Sequence, residues 1–363
     1  MEKKNRSILY DKEASGHMKN EHSFHSIIPP YMLKELSQSN DASVRDMAFD
    51  TTALSESLRA VRITLHELPI MAAIPSPNMN KNRLIYTLNN KTRPLPGTPK
   101  REENSSPTGD EAIDEAYDYS GDTYDFYRQI LNRNSLDDKG ESLISTVHYG
   151  IRYTNAFWNG EQMVYGDGDG KFFNRFTKSL DVIGHELTHG VIAHTCNLEY
   201  EHESGALNEH FADVMGILIK QCKNNLDVNK SDWLIGKEIM MPGTIKAIRT
   251  FKNEKAYTND PNFGTDPQPK HMKDFYKGDD DNGGVHYNSG IPNCAFYHAA
   301  MDIGGNAWDV LGKIWYKTLL NLNRYSNFID AAKMTIMVAK EMYDAGSKEE
   351  ASIRKAWKTV GVL

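Results

Sequence analysis

The sequence predicts an α+β fold in which a sheet-forming stretch leads into a mainly helical half. Three observations carry this expectation. Short apolar runs bounded by turn residues cluster between Ser142 and Phe173, as strands do. After Ser179 the apolar residues recur at helical spacing instead. A separate set of short amphipathic patterns opens the chain between His22 and about Leu58.

Composition sets the bounds. With 363 residues, 39% of them hydrophobic, the chain is long enough for two subdomains and a sizeable core. The net charge of -7 comes from interspersed acidic and basic residues, so there is no basic footprint for a nucleic-acid partner. No run of about twenty apolar residues exists to span a membrane. The amino terminus, "MEKKNRSILYDKEASGHMKNEHSFH", is polar where a Sec-type signal needs an apolar core. The expected location is therefore the cytoplasm, or the exterior by a non-classical route. Cys196, Cys222 and Cys294 are too few and too scattered for a disulfide framework or a cysteine zinc site, and are expected to be free, packed thiols.

In chain order, "HSFHSIIPPYMLKELSQSNDASVRDMAFDTTALSESL" reads as a Pro-Pro turn followed by a small helical unit. "LPIMAAIPSPNMNKN" and "RPLPGTPKREENSSPTGDE" collect Pro, Ser, Asn and Gly and are expected to be linkers or long loops. "LISTVHYGI" and "AFWNGEQMVYGDGDG" are strand-like, with Asn159-Gly160 signalling a hairpin. Leu180, Ile183, Leu187 and Val191 form one helical stripe, and Leu207, Phe211, Val214 and Leu218 a second. In the tail, "SNFIDAAKMTIMVAKEMY" reads as a helix with Ser326 as its N-cap.

The chemistry centres on "DVIGHELTHG". His185 and His189 stand four positions apart, about one helical turn, so both imidazoles leave one face and can converge on a metal. Glu186, beside the first, reaches a metal-bound water without ligating the metal. The five-letter pattern alone is weak. The following "SGALNEHFADVMG" strengthens it by offering Glu209 as a third ligand, with Asp213 one turn further on the same face to take the second N–H of a ligand histidine. Two histidines and a glutamate leave the fourth tetrahedral position open, as in a catalytic zinc site.

"HELTH" followed by "GALNE", with Glu209 coming 209 − 185 = 24 positions after His185, resembles the thermolysin-like zinc metallopeptidases. The resemblance runs from about residue 84 to the end. It implies a β-rich N-terminal catalytic subdomain, a mainly helical C-terminal one, and zinc in the cleft between them. "NAFWNGEQMVYGDGDG" resembles the family's substrate-edge strand, implying that Asn155 and the backbone of Ala156 hold an extended peptide. "DNGGVHYNSG" supplies His286 to stabilise the oxyanion, oriented by Asp281; Tyr200 matches the phenol donor and Arg249 the arginine that binds a substrate carbonyl. Asn208 joins Asp213 in supporting the ligands. Phe173, Val182 and Ile248 match an apolar pocket for a bulky residue after the cleaved bond.

The implied activity is a zinc-dependent neutral endopeptidase acting on peptides or proteins, with Glu186 as general base, and expected to be a monomer. The rival classes are a non-catalytic zinc protein, which would be expected to lose Glu186, His286 or Tyr200, and an enzyme with a non-peptide substrate, which the Asn155 strand disfavours. "IIPPYML" resembles the Pro-Pro motif of the short pro-segments in the protealysin-like branch, implying that the amino-terminal segment is an intramolecular inhibitor cut off between about Thr51 and Asn82. The expected division is 1–70 pro-segment with linker, 71–195 β-rich subdomain ending in the zinc-binding helix, and 196–363 helical subdomain. Calcium is expected to be dispensable: at the family's calcium positions only Asp181 and Asp232 are acidic, with Lys220, Leu234 and Lys237 at others. The "YGDGDG" run leaves a weaker calcium alternative open.

Overall fold

The computed structural model describes residues 25–65 and 80–363. The polar amino terminus and most of the first expected linker lie outside the described residues. The elements follow in the order β1 (His25–Ser26), α1 (Pro30–Leu36), α2 (Ala42–Leu65), β2 (Arg83–Thr87), β3 (Thr98–Glu102), α3 (Glu111–Ile130), β4 (Leu143–Val147), β5 (Ala156–Trp158) and β6 (Met163–Tyr165). The helical half then contributes α4 (Leu180–Ala193), α5 (His202–Lys223), β7 (Leu234–Ile235), β8 (Arg249–Thr250), α6 (Asp280–Asn288), α7 (Gly290–Ile303), α8 (Val310–Leu319), α9 (Phe328–Tyr343) and α10 (Lys348–Thr359).

Six strands form one sheet in the order β1-β5-β6-β4-β2-β3, with β4 parallel to both β2 and β6 and the other pairs antiparallel. The Asn159-Gly160 turn joins β5 to β6 as expected. At the outer edge of β5, the two-residue β1 of the amino-terminal segment pairs with the main sheet, His25 opposite Trp158 and Ser26 opposite Phe157. An exposed sheet edge is a ready template for an added strand, and this segment fills it. Pro30 then sits in the first turn of α1, where its missing N–H costs nothing, and Tyr31, Met32, Leu33 and Leu36 are buried.

Both predicted stripes are in place. Leu180, Ile183, Leu187 and Val191 on α4, and Leu207, Phe211, Val214 and Leu218 on α5, are all buried in one continuous core. Two glycines let these helices approach closely: a Cβ on Gly216 would lie 2.5 Å from the Asp181 carbonyl oxygen, and one on Gly184 2.8 Å from Ile219 Cδ1. A larger residue at Gly216 would meet the backbone of α4 and push α5, with Glu209, away from the histidines.

Two expectations need correction. "RPLPGTPKREENSSPTGDE" is not all loop, since Thr98–Glu102 is an edge strand. Its side chains other than Arg101 face solvent, so no apolar alternation marks it. The N-cap of α9 is Asn327, not Ser326: its side chain accepts from the Asp330 N–H and the Asp330 side chain returns the bond, a reciprocal capping box. The long α3, capped by Asp110 and tied to α4 by a 2.8 Å Tyr127–Thr188 hydroxyl contact, was not marked by any feature singled out in the sequence. Cys196 and Cys294 are buried, Cys222 is half-buried, and all three are free thiols. No helix among the described residues is long and apolar enough to cross a membrane.

Candidate active site

The α4–α5 pair brings His185, His189 and Glu209 together in a buried pocket, each at most 1% exposed. His185 Nδ1 donates to Asp213 Oδ1 at 2.9 Å and His189 Nδ1 to Asn208 Oδ1 at 2.8 Å. The Asn208 amide is itself oriented by its Nδ2 donating to the Leu198 carbonyl. With Nδ1 donating, each ring turns its Nε2 inward, and the two Nε2 atoms face each other at 3.0 Å. Burial, followed by the neighbouring His25 and His185, holds His189 well below the ordinary histidine range, in its neutral form. Glu209 Oε2 lies 3.5 Å from His185 Nε2 and Glu209 Oε1 3.5 Å from His189 Nε2.

Facing lone pairs and a buried carboxylate repel one another unless a cation lies between them. Glu209 Oε2 and Glu186 Oε1 are buried without a hydrogen-bond partner, as oxygens awaiting a metal and its water would be. Two tetrahedral zinc bonds of about 2.1 Å separate their ligand atoms by roughly 3.4 Å, close to the 3.5 Å of both histidine–Glu209 contacts and somewhat wider than the 3.0 Å between the two histidines. The donor set therefore fits zinc.

Around this pocket the other sequence-derived residues converge. Glu186 Oε2 accepts the Trp158 N–H at 3.0 Å, and burial together with the Glu209 charge raises its carboxyl well above the usual range. His286 Nδ1 donates to Asp281 Oδ1 at 2.7 Å, and its ring points Nε2 into the pocket, 3.3 Å from the Tyr200 hydroxyl. Burial opposes protonation of His286, but the Asp281 and Glu209 carboxylates overcome it and raise the pKa. The backbone makes this possible by a left-handed turn, φ 59° at Asp281, 52° at Asn282, 77° at Gly283 and 82° at Gly284. At Gly283 a Cβ would also meet the His202 ring at 2.2 Å. Tyr200 donates its hydroxyl to Glu209.

The amino-terminal segment lies across this arrangement. The Ser26 carbonyl accepts from His286 Nε2 at 3.1 Å, the Ile27 N–H donates to the Ala156 carbonyl at 3.2 Å, and the Ile28 N–H donates to Asn155 Oδ1 at 3.0 Å. Arg249, 1% exposed, donates from Nη1 to the Ile27 carbonyl at 3.0 Å and grips Asp213 through Nε at 3.0 Å and Nη2 at 2.8 Å. That guanidinium and His185 hold Asp213 ionised far below the ordinary range, against the opposing effect of burial. Phe173, Val182 and Ile248 are fully buried in the same apolar cluster as Ile27 and Ile28.

Sequence comparison identifies the thermolysin metallopeptidase catalytic domain over residues 76–193 and the thermolysin metallopeptidase alpha-helical domain over residues 196–362. The chain belongs to the thermolysin family of metallopeptidases. Protease PrtS of Photorhabdus sp. is 45% identical over 348 residues, 93% of this chain and 92% of that protein. An extracellular metalloprotease of Pectobacterium carotovorum is 42% identical, covering 93% of this chain and 96% of its own length. Thermolysin of Alicyclobacillus acidocaldarius is 40% identical over 262 residues, 46% of its length. Among solved structures, the precursor of protealysin, a metalloproteinase from Serratia proteamaculans, aligns with a TM-score of 0.83 at 43% identity, over 93% of this chain and all of that one. The chain is thus a thermolysin-like, protealysin-like metallopeptidase, and the family depends on zinc.

Several contributors in this family member escaped sequence reasoning. The Trp158 N–H on Glu186 and the Asn293 amide on Asp213 Oδ2, at 2.8 Å, are tertiary contacts with no local signature. Glu238 is another. On the flank of the α4–α5 pair, Lys220 Nζ lies 2.9 Å from Asp181 Oδ2 and 2.9 Å from Glu238 Oε1, while Lys237 Nζ lies 3.0 Å from Asp232 Oδ2. Ser179 Oγ donates to Asp181 Oδ1 at 2.6 Å. In "YGDGDG", Asp169 Oδ1 accepts the N–H groups of Lys171, Phe172 and Phe173, and Asp167 pairs with His148, so the run is built as a turn.

Proposed function

We propose that the chain is the precursor of a zinc endopeptidase that cleaves before bulky apolar residues, and that residues 1–70 are its inhibitory pro-segment. The division at 71–195 and 196–363 then separates the two catalytic subdomains. The observation that carries this proposal is the substrate-like lie of Ser26-Ile27-Ile28, whose backbone groups engage His286, Ala156, Asn155 and Arg249 in turn. Ile27, apolar, fully buried and on the amine side of the Ser26–Ile27 bond, supports an apolar preference there.

Zinc held by His185, His189 and Glu209 supplies, when bound, a Lewis acid that polarises the substrate carbonyl and acidifies water. Glu186 takes the proton of the attacking water and returns it to the leaving amine, a role that suits a carboxyl whose pKa is raised by burial. His286, oriented and charged by Asp281, and the Tyr200 hydroxyl donate to the carbonyl oxygen as negative charge develops on it. Arg249 and Asn155 hold the peptide, so the binding energy positions the bond. Asp213 and Asn208 fix the ligand tautomers. The enzyme acts as a monomer and needs no structural calcium, because Lys220 and Lys237 neutralise the aspartates that an ion would otherwise bridge.

The test is to incubate the purified chain with a peptide library, read by mass spectrometry, with and without a chelator. Expected are loss of the amino-terminal segment, cleavage on the amino side of bulky apolar residues, suppression by chelator and recovery with zinc. A trimmed, zinc-loaded protein that leaves every peptide intact would overturn the proposal.

A further inference from the structure

We propose that His210 is a positioning residue for the metal site, part of a one-way hydrogen-bond relay from Trp315 through His210 and Asn293 to Asp213, the carboxylate that orients the ligand His185. The inference rests on the zinc site proposed above and extends it to residues that touch neither metal nor peptide. His210 follows Glu209 on α5, and one step along a helix turns a side chain by about 100°, so its ring points away from the metal, toward α7 and α8. Trp315 Nε1 on α8 donates to His210 Nε2 at 2.9 Å, His210 Nδ1 lies 2.7 Å from Asn293 Oδ1 on α7, and Asn293 Nδ2 donates to Asp213 Oδ2 at 2.8 Å. His210, Asn293 and Asp213 are fully buried, and Trp315 is 1% exposed.

The direction of the relay is set at its far end. An indole N–H can only donate, so His210 Nε2 must accept and the ring proton must sit on Nδ1. That Nδ1–H needs an acceptor, so the Asn293 amide turns its oxygen to His210 and its nitrogen to Asp213. Each of these buried polar atoms is thereby paired, as a network in the interior requires. Asp213 has two duties. Its Oδ1 accepts from His185 Nδ1 at 2.9 Å and from Arg249 Nη2 at 2.8 Å, its Oδ2 accepts from Arg249 Nε at 3.0 Å, and Arg249 also holds the Ile27 carbonyl. Among the described residues that bond Asp213, Asn293 alone is neither a metal ligand nor a peptide-holding group, so it fixes the carboxylate while peptides come and go. A carboxylate turned about its axis would loosen the imidazole and the guanidinium together.

The test uses the full chain with Glu186→Gln, which cannot process itself but keeps every ligand. Nitrogen NMR of its histidine rings should find the His210 proton on Nδ1, the signal being assigned by its loss in a chain that also carries His210→Asn. The further change His210→Phe keeps a ring but removes both nitrogens, and circular dichroism confirms that the fold is retained. Its zinc dissociation constant, measured by competition with a chromophoric chelator, should rise about tenfold, the scale on which outer partners of zinc ligands act. His210→Asn, whose amide nitrogen replaces Nδ1 as the donor to Asn293, should recover most of that loss. A role confined to packing predicts the reverse order, because phenylalanine fills the space better than asparagine. A proton on His210 Nε2, or unchanged zinc affinity in the folded His210→Phe chain, would overturn the relay while leaving the zinc site standing. Should His210→Phe fail to fold, the tautomer in the parent chain still decides. Failure of the folded parent chain to bind zinc would overturn the proposed function and this inference with it.

Discussion

Replacing Lys220 by Met tests whether this lysine does the electrostatic work of a structural ion. The substitution keeps the stem and most of the volume but removes the charge that sits 2.9 Å from Asp181 and 2.9 Å from Glu238. The Asp181 side chain is fully buried, and burial together with Glu238 already raises its pKa against the pull of Lys220. Burial would lower the Lys220 pKa, yet Asp181, Glu238 and Asp232 raise it instead, so the ammonium is firmly held. Removing one partner of a buried pair costs about 3–5 kcal/mol, and the 12% exposure of Lys220 with 38% for Glu238 places this case near 3. At about 2–4 °C per kcal/mol, the unfolding midpoint should fall by at least about 5 °C, measured by calorimetry in the Glu186→Gln background to prevent self-digestion. Without Lys220, Asp181 has a folded pKa raised still further above its unfolded value. Its penalty is then full above the folded pKa and disappears below the unfolded one, so the deficit should shrink between pH 7 and pH 5. A loss under about 1 kcal/mol at pH 7, or a deficit that grows on acidification, would refute the argument.

Three further outcomes are expected. Glu186→Gln should retain zinc and fold but lower peptide hydrolysis by about 10²–10⁴-fold, read as initial rates at saturating zinc, and its purified chain should stay full length while the wild type shortens. Asn155→Ala should raise the KM for peptides about tenfold with a smaller effect on kcat, because it removes an acceptor that holds bound backbone, as it does for the Ile28 N–H. Millimolar calcium at saturating zinc should leave the melting temperature unmoved, whereas a site filled a hundredfold over its Kd would add about 2.7 kcal/mol.

The parts legible in the sequence were those whose physics is local. His185 and His189 announce themselves because one turn of α4 is enough to align them, and Glu209 and Asp213 because one turn of α5 does the same. The stripes that bury these helices are periodic and therefore visible. Strand β3 was hidden because an edge strand pairs through its backbone alone and needs no apolar alternation. Asn327 displaced Ser326 as the cap of α9 because the reciprocal bond with Asp330 is available only from position 327.

His25 illustrates the harder class of omission. Nothing in "HSIIPP" marks a residue that packs into the buried site, since its neighbours His189 and Glu209 come from helices more than 160 positions away (189 − 25 = 164). Its place is set by sheet register: pairing Ser26 with Phe157 puts His25 opposite Trp158, the residue whose N–H also holds Glu186. A slip of one residue would turn the imidazole to the other face of the sheet and move the Ser26 carbonyl off His286. The backbone pairing of this short strand thus decides which of its residues face the histidines and Glu209 and which turn away.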